Sequence, residues 1–248
     1  MPQASRMHVL LFLVTLALAV TCAFSLQQPS AEAPPDRITG SFAMGWMLTD
    51  TNGDGIPDMI NGKIVVPTHP SAAENTAAAN LAARLSFGST GLTPPLVISA
   101  IDDAGSGPRI WVGRGAAPPS VAADLARLSN GLDTQEGAVF SLGDNLAIVA
   151  GDDAGLLAAA EAFSARSPYQ WRVSGDQLSD IADAVRAAVP GAAIELAGIS
   201  YLRGKAGIHR AFLRSRDTIA ASALEKALSS PRLAAVHELV VMGGAPPV

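Results

Sequence analysis

The alternation of apolar and polar positions along this chain predicts strands and helices that follow one another in turn. Short apolar runs bounded by glycine, proline or aspartate are typical of strands. Such runs occur at residues 63–67, 95–101, 109–113, 138–142, 145–150, 194–200, 208–214 and 238–242. Segments with apolar residues three or four positions apart are typical of helices. Segments of this kind begin near residues 71, 118, 153, 178 and 219.

The turn between two of these strands decides the kind of sheet. Gly143 and Asp144 separate the runs at residues 138–142 and 145–150 and suit the tight turn of an antiparallel hairpin. A hairpin argues against a purely parallel sheet, so we predict the α/β class, with helices packed on a mixed sheet. We expect two small α/β domains, at residues 38–172 and 173–248.

The end of the chain leaves two interpretations open. The strand at residues 238–242 is followed by Gly243 and Gly244, where an α/β fold normally continues into a helix. Either the second domain is incomplete, or the tail ends at this point.

The N-terminus has the layout of a secretory signal peptide. Arg6 precedes an apolar run at residues 9–20, and the small residues Ala23 and Ser25 follow it. The run is shorter than the roughly 20 residues that a membrane-spanning helix needs. We therefore predict a signal peptide at residues 1–25 and a secreted or periplasmic protein. A flexible linker rich in proline and alanine is predicted at residues 26–37.

The amino-acid composition argues against several kinds of chemistry and several kinds of binding partner. Cys22 is the only cysteine and lies inside the predicted signal peptide, so the mature chain has neither a disulfide nor thiolate chemistry. The formal net charge is −5 and no basic stripe is present, which makes nucleic acid and anionic membranes poor partners. We expect no membrane partner after the signal peptide is cleaved.

The sharpest motif is an Asp-rich loop at residues 50–58. Its oxygen donors match positions 1, 3, 5, 7 and 9 of a calcium loop. These donors are Asp50, Asn52, Asp54, the carbonyl of Ile56, and Asp58. Gly55 supplies the sharp turn, but Asn61 replaces the bidentate glutamate of position 12. We expect weak Ca²⁺ binding, and a plain polar turn is the alternative. The loop resembles those of thrombospondin type 3 repeats and dockerins.

A broader likeness covers residues 109–171, which include RIWVG, EGAVFSL and NLAIVAGDDAGLLAAAEAF. This region resembles the small α/β domain that precedes the catalytic barrel in glycoside hydrolases of the hexosaminidase and α-glucuronidase types. The periplasmic subunit of bacterial cellulose synthase has similar segments. In the glycosidases this domain is an accessory without a catalytic acid. The resemblance therefore implies a carbohydrate-associated module with a polysaccharide or an envelope protein as its partner.

Other candidate residues have simpler structural explanations. Adjacent acids at Asp152 and Asp153 suit a helix N-terminus, and this segment lacks the lysine of a phosphate loop. The mature chain's three histidines, His69, His209 and His237, show no metal-ligand spacing. The basic residues could bind an acidic glycan, although a solvated hairpin explains them more simply. They are Arg203, Lys205, Arg210, Arg214 and Arg216. Trp46, Trp111 and Trp171 could stack on sugars, but two of them suit the core better.

These patterns predict a secreted, non-catalytic α/β module that is associated with carbohydrate and binds calcium weakly. The absence of a G-x-S-x-G elbow or a plausible acid pair argues against an enzyme in this chain alone. Two alternatives stay open, namely the N-terminal part of a longer secreted hydrolase and a cell-envelope scaffold that binds another protein.

Overall fold

The computed structural model describes residues 37–165 and 178–243. The predicted signal peptide at residues 1–25 lies outside this part of the chain, as does the predicted linker apart from Arg37. The helices are α1 (Ala72–Phe87), α2 (Pro119–Ser129), α3 (Asp153–Ser164), α4 (Leu178–Ala188) and α5 (Ala221–Leu228). The strands are β1 (Leu48–Thr49), β2 (Met59–Ile60), β3 (Lys63–Val66), β4 (Val97–Ser99), β5 (Arg109–Val112), β6 (Glu136–Leu142), β7 (Asn145–Ala150), β8 (Ile194–Leu202), β9 (Ile208–Ser215) and β10 (Val236–Gly243).

Eight of the strands form one mixed sheet, which confirms the predicted α/β class. Their order is β10-β9-β8-β6-β7-β5-β3-β4, while β1 and β2 form a separate antiparallel pair. Strands β4, β3, β5 and β7 are parallel to one another. Strand β6 is antiparallel to both β7 and β8, and β9 pairs in parallel with β10. The hairpin predicted at Gly143 and Asp144 is the β6–β7 connection.

The sheet differs from the two separate domains expected from the sequence. Strand β6 of the first predicted domain pairs with β8 of the second, with Val139 opposite Ile199. The described residues belong to one compact unit, although the expected boundary at residue 172 lies outside them. Local sequence patterns predict the strands of the large sheet but not which strands are neighbours, and for this reason the pairing of β6 with β8 was missed.

Helices cover the two faces of the large sheet unequally. Alternate residues of a strand point to opposite faces, and Val139 and Phe140 of β6 accordingly belong to different apolar cores. The larger core contains buried residues of α1, α3, α4 and α5, whereas the smaller one contains Leu125 of α2. The start of α2 therefore lies on the face with less helical cover. No helix in the described part of the chain is long and apolar enough to cross a membrane.

Candidate functional site

The Asp-rich loop connects β1 to β2 and is folded around the carboxylate of Asp50. The Oδ1 atom of Asp50 accepts hydrogen bonds from the amides of Asn52 and Gly53, at 3.2 and 2.7 Å. Its Oδ2 atom accepts one from the amide of Gly55, at 2.7 Å. Gly55 has a φ of +84°, a value that favours glycine, so the sequence supplies the residue that this turn requires.

The other predicted ligands are held in the same loop by short-range hydrogen bonds. Asp54 accepts a hydrogen bond from the Ile56 amide at 2.8 Å and another from the Asn52 side chain at 3.2 Å. Asp58 closes the loop by accepting hydrogen bonds from the amide and hydroxyl of Thr51, each at 2.9 Å. The proposed ligands thus lie in one short loop, but Asp50, Asp54 and Asp58 do not form a group with one oxygen from each within 4.8 Å of the others.

This loop concentrates the negative charge of three aspartates, Asp50, Asp54 and Asp58. Hydrogen bonding, chiefly from the amide of Gly55, holds the pKa of Asp50 below its usual value. Among the described residues, no lysine, arginine or histidine forms an ion pair with Asp50, Asp54 or Asp58.

A second acidic group is buried at the start of β6. Glu136 is completely buried, and its Oε1 atom accepts hydrogen bonds from the Ser200 hydroxyl at 2.5 Å and from Arg210 Nε at 2.7 Å. Its Oε2 atom accepts hydrogen bonds from Arg210 Nη2 and from the amide of Asp133. Burial raises the pKa of Glu136, but these hydrogen bonds outweigh burial, so the pKa lies below its usual value.

Asp133, Glu136 and His209 lie close enough together to hold a metal ion. One ligand atom from each lies within 4.8 Å of the other two. The sequence analysis missed this group because residue 209 is far along the chain from the other two and reaches them through the pairing of β6, β8 and β9. Arg210 already forms an ion pair with the Glu136 carboxylate, however, and its positive charge would repel a metal cation at this position.

The adjacent acids at the start of α3 have a structural role, as the sequence suggested. Asp152 is the N-cap, and its Oδ1 atom accepts a hydrogen bond from the amide of Gly155 at 2.8 Å. Its Oδ2 atom accepts one from the amide of Gln135 at 3.0 Å. A Cβ atom at Gly155 would lie 2.4 Å from the carbonyl oxygen of Glu136, so this glycine permits a close helix–strand contact.

A third feature, which the sequence analysis did not find, is a cavity of about 560 Å³ beside the start of α2. Asp103 and Arg109 lie in its wall and form an ion pair with Oδ1 and Nε 2.8 Å apart. Their side chains are only 12% and 6% exposed. Trp111 and Asn145 also line the cavity. These residues come from β5, β7 and the connection that precedes β5.

Several of the remaining aromatic and basic candidates already have partners within the described part of the chain. Trp46 is buried, and its Nε1 atom donates a hydrogen bond to the carbonyl of Asp144 at 2.9 Å. Trp171 lies outside the described residues. Within the basic group, Arg210 pairs with Glu136 and Arg214 pairs with Glu195. Two of the five basic side chains that were candidates for binding an acidic glycan are therefore already paired with carboxylates of the protein.

Comparisons with known proteins leave the family open. No protein-family model matches this chain, and no curated protein sequence matches it.

Proposed function

We propose that this chain is an exported, non-catalytic α/β module that is associated with carbohydrate and binds calcium weakly through residues 50–58. The observation that carries the calcium proposal is the closed Asp-rich loop, whose carboxylates form no ion pair with a lysine or arginine among the described residues. Calcium prefers hard oxygen ligands such as carboxylates, amide oxygens and backbone carbonyls. The proposed ligands are Asp50, Asn52, Asp54, the carbonyl of Ile56, and Asp58.

The carboxylates of this loop retain capacity to bind an ion. An ionised carboxylate offers about four acceptor positions on its two oxygens. Asp54 accepts only two hydrogen bonds from the described residues, and the Oδ2 atom of Asp50 accepts only that of Gly55. The backbone hydrogen bonds orient these oxygens and leave part of each carboxylate to coordinate calcium.

The position after β2 explains why the binding should be weak. A strong calcium loop closes with a bidentate glutamate at position 12, whereas this chain has Asn61 there. The amide of Asn61 donates a hydrogen bond to the carbonyl of Met47 at 2.7 Å, which ties this residue to the backbone. We therefore expect a Kd on the order of 10⁻⁴ to 10⁻³ M, as in extracellular modules.

Calorimetry with calcium and with a chelator tests the loop. Calcium that binds only the folded state stabilises it, so the melting temperature should rise with calcium in the wild type and not in Asp54→Ala. Asp124→Ala is the matched control, because Asp124 is a surface aspartate of α2 that pairs with Arg127. Magnesium should raise the melting temperature less, since it demands tighter octahedral geometry. An unchanged melting curve up to about 10 mM calcium would contradict the proposal.

Export and the absence of catalysis are tested separately. N-terminal sequencing of the recovered protein should find a chain that begins at Phe24 or Leu26, whereas an intact Met1 on cytosolic protein would contradict export. A panel of chromogenic glycosides and esters should show no turnover. Turnover that a single Asp or Ser substitution abolishes would show that the chain is an enzyme.

A further inference from the structure

We propose that the cavity beside the start of α2 binds a neutral sugar. This inference names the ligand class and the site for the carbohydrate association proposed above, and it is independent of the calcium loop. The volume of about 560 Å³ lies in the range of about 300–1,000 Å³ that is usual for small-molecule sites. Apolar side chains, including Pro119 and Val121, lie in the wall together with polar groups.

The indole N–H of Trp111 has no partner among the described residues. Trp111 lines the cavity and is only 4% exposed, yet its Nε1 atom forms no hydrogen bond with any described residue. Buried donors in folded proteins are nearly always paired. Trp46 follows that rule, since its Nε1 atom donates to the carbonyl of Asp144. The Nε1 atom is itself shielded from water, so a ligand oxygen in the cavity that Trp111 lines would supply its acceptor after a small shift of the indole.

Two polar side chains in the same wall, Asp103 and Asn145, have hydrogen-bonding atoms that no described residue uses. Asp103 accepts hydrogen bonds from Arg109 Nε and from the amide of Gly105, and both reach its Oδ1 atom. Its Oδ2 atom remains able to accept a hydrogen bond from a ligand. Asn145 accepts a hydrogen bond from the Arg109 amide through Oδ1, which leaves its Nδ2 group to donate. The wall therefore offers both donors and an acceptor.

The start of α2 adds one more donor to this wall. Pro118 and Pro119 have no amide hydrogen, and no side chain caps the helix. The amide of Ser120, which also lines the cavity, forms no hydrogen bond with a described residue. The first amides of a helix have no partner within the helix, so they bind oxygen atoms of ligands readily.

Charge selects a neutral ligand rather than an anion or a cation. Asp103 and Arg109 are the only charged residues in the described lining, and their charges compensate each other in a buried ion pair. An anion would face the carboxylate of Asp103, and a cation would face the guanidinium of Arg109. Hydroxyl groups both donate and accept, so a neutral sugar satisfies Asp103, Asn145 and Trp111 without an unpaired charge.

Isothermal titration calorimetry of the mature protein tests this site with glucose, galactose, mannose and N-acetylglucosamine. At least one of these should bind the wild type, and glucuronate and glucosamine should bind more weakly than glucose. Trp111→Phe removes the indole N–H and keeps an aromatic ring, so the affinity should fall roughly tenfold. Asn145→Asp keeps the acceptor for the Arg109 amide but replaces the Nδ2 donor, and it should weaken binding similarly.

Trp46→Phe is the matched control, because it removes an indole N–H that the protein itself satisfies. This variant should lose stability but bind the sugar like the wild type, whereas Trp111→Phe should fold normally by circular dichroism. If Trp111→Phe and Asn145→Asp bind the sugar as tightly as the wild type, the cavity is not the sugar site. The proposed association with carbohydrate would then still stand. If glucuronate or glucosamine binds more tightly than glucose, the inference that the ligand is neutral is wrong. If none of the four sugars binds, both the cavity and the carbohydrate part of the proposed function fail, whatever the calcium result.

Discussion

The buried group around Glu136 and the exposed loop at residues 50–58 are both acidic, but they satisfy their charge in different ways. Glu136 is completely buried and receives hydrogen bonds from Arg210, Ser200 and a backbone amide. The carboxylates of the loop are exposed at Asp54 and partly exposed at Asp50 and Asp58. They receive hydrogen bonds from backbone amides and neighbouring side chains, with no cationic partner among the described residues.

This contrast separates a structural role from a binding role. A buried charge needs a partner within the protein, because water cannot solvate it. An exposed carboxylate has no such need, so it can exchange water for a metal ion at little cost to folding. The same chemical group, a carboxylate, therefore has a structural role at Glu136, whereas at the loop we propose that it binds calcium.

Replacing Arg210 should have the largest effect on stability. In Arg210→Met the carboxylate of Glu136 stays buried without its cation, and breaking a buried pair in this way costs about 3–5 kcal/mol. The free energy of unfolding in urea measures the loss. Arg127→Met is the matched control, since Arg127 and Asp124 form an exposed pair on α2 that should contribute less than about 0.5 kcal/mol. Equal effects in the two variants would remove the contrast between buried and exposed pairs.

Lowering the pH should reduce the contribution of the buried group to stability more than that of the loop. The pKa of Glu136 lies below its ordinary value of 4.5, so its contribution is fully present above that pH and is lost as the pH falls through the lowered pKa. Glu136→Gln should lower stability at neutral pH by about 1–3 kcal/mol and flatten the fall in stability below about pH 4.5. Urea unfolding across pH 3–7, an interval chosen to span roughly both carboxylate states, provides the comparison. An unchanged acid slope in the variant would contradict the assignment.

Calcium should act on the loop and not on the buried group. At about ten times its Kd, calcium should raise the melting temperature of the wild type by roughly 3–5 °C. Glu136→Gln should keep this rise, because Arg210 already excludes a cation from that group, whereas Asp54→Ala should lose it. A rise that disappears in Glu136→Gln would move the calcium site to Asp133, Glu136 and His209.

A lysine introduced into the loop should have the smallest effect on stability. It would give the loop carboxylates a cationic partner within the protein, as Arg210 is for Glu136. Asn52→Lys places an ammonium beside Asp50 and Asp54, so the melting temperature without calcium should rise slightly at low salt. The response to calcium should then disappear. A lysine variant that still responds to calcium like the wild type would show that counter-charge within this loop does not control binding.

Local features could be predicted from the sequence because they depend on residues only a few positions apart. Ser71 and Glu74 form the expected capping box at the start of α1, with hydrogen bonds of 3.1 and 2.8 Å. The hairpin at Gly143 and the acidic N-terminus of α3 also follow from neighbouring residues. The acidic part of the Asp-rich loop belongs to this group, since the hydrogen bonds that its carboxylates accept join residues no more than seven positions apart.

The tertiary structure alone decided which distant residues meet. Glu136 and Arg210 lie 74 positions apart, and they come together only because β8 lies between β6 and β9 in the sheet. The cavity of Asp103, Trp111 and Asn145 likewise depends on the pairing of β5 with β7 and on the position of α2. By itself, the sequence determined the α/β class, the turns, the caps and the acidic loop, because these depend on local propensity. The single sheet, the buried ion pair and the cavity depend on which strands become neighbours, and local periodicity does not encode that choice.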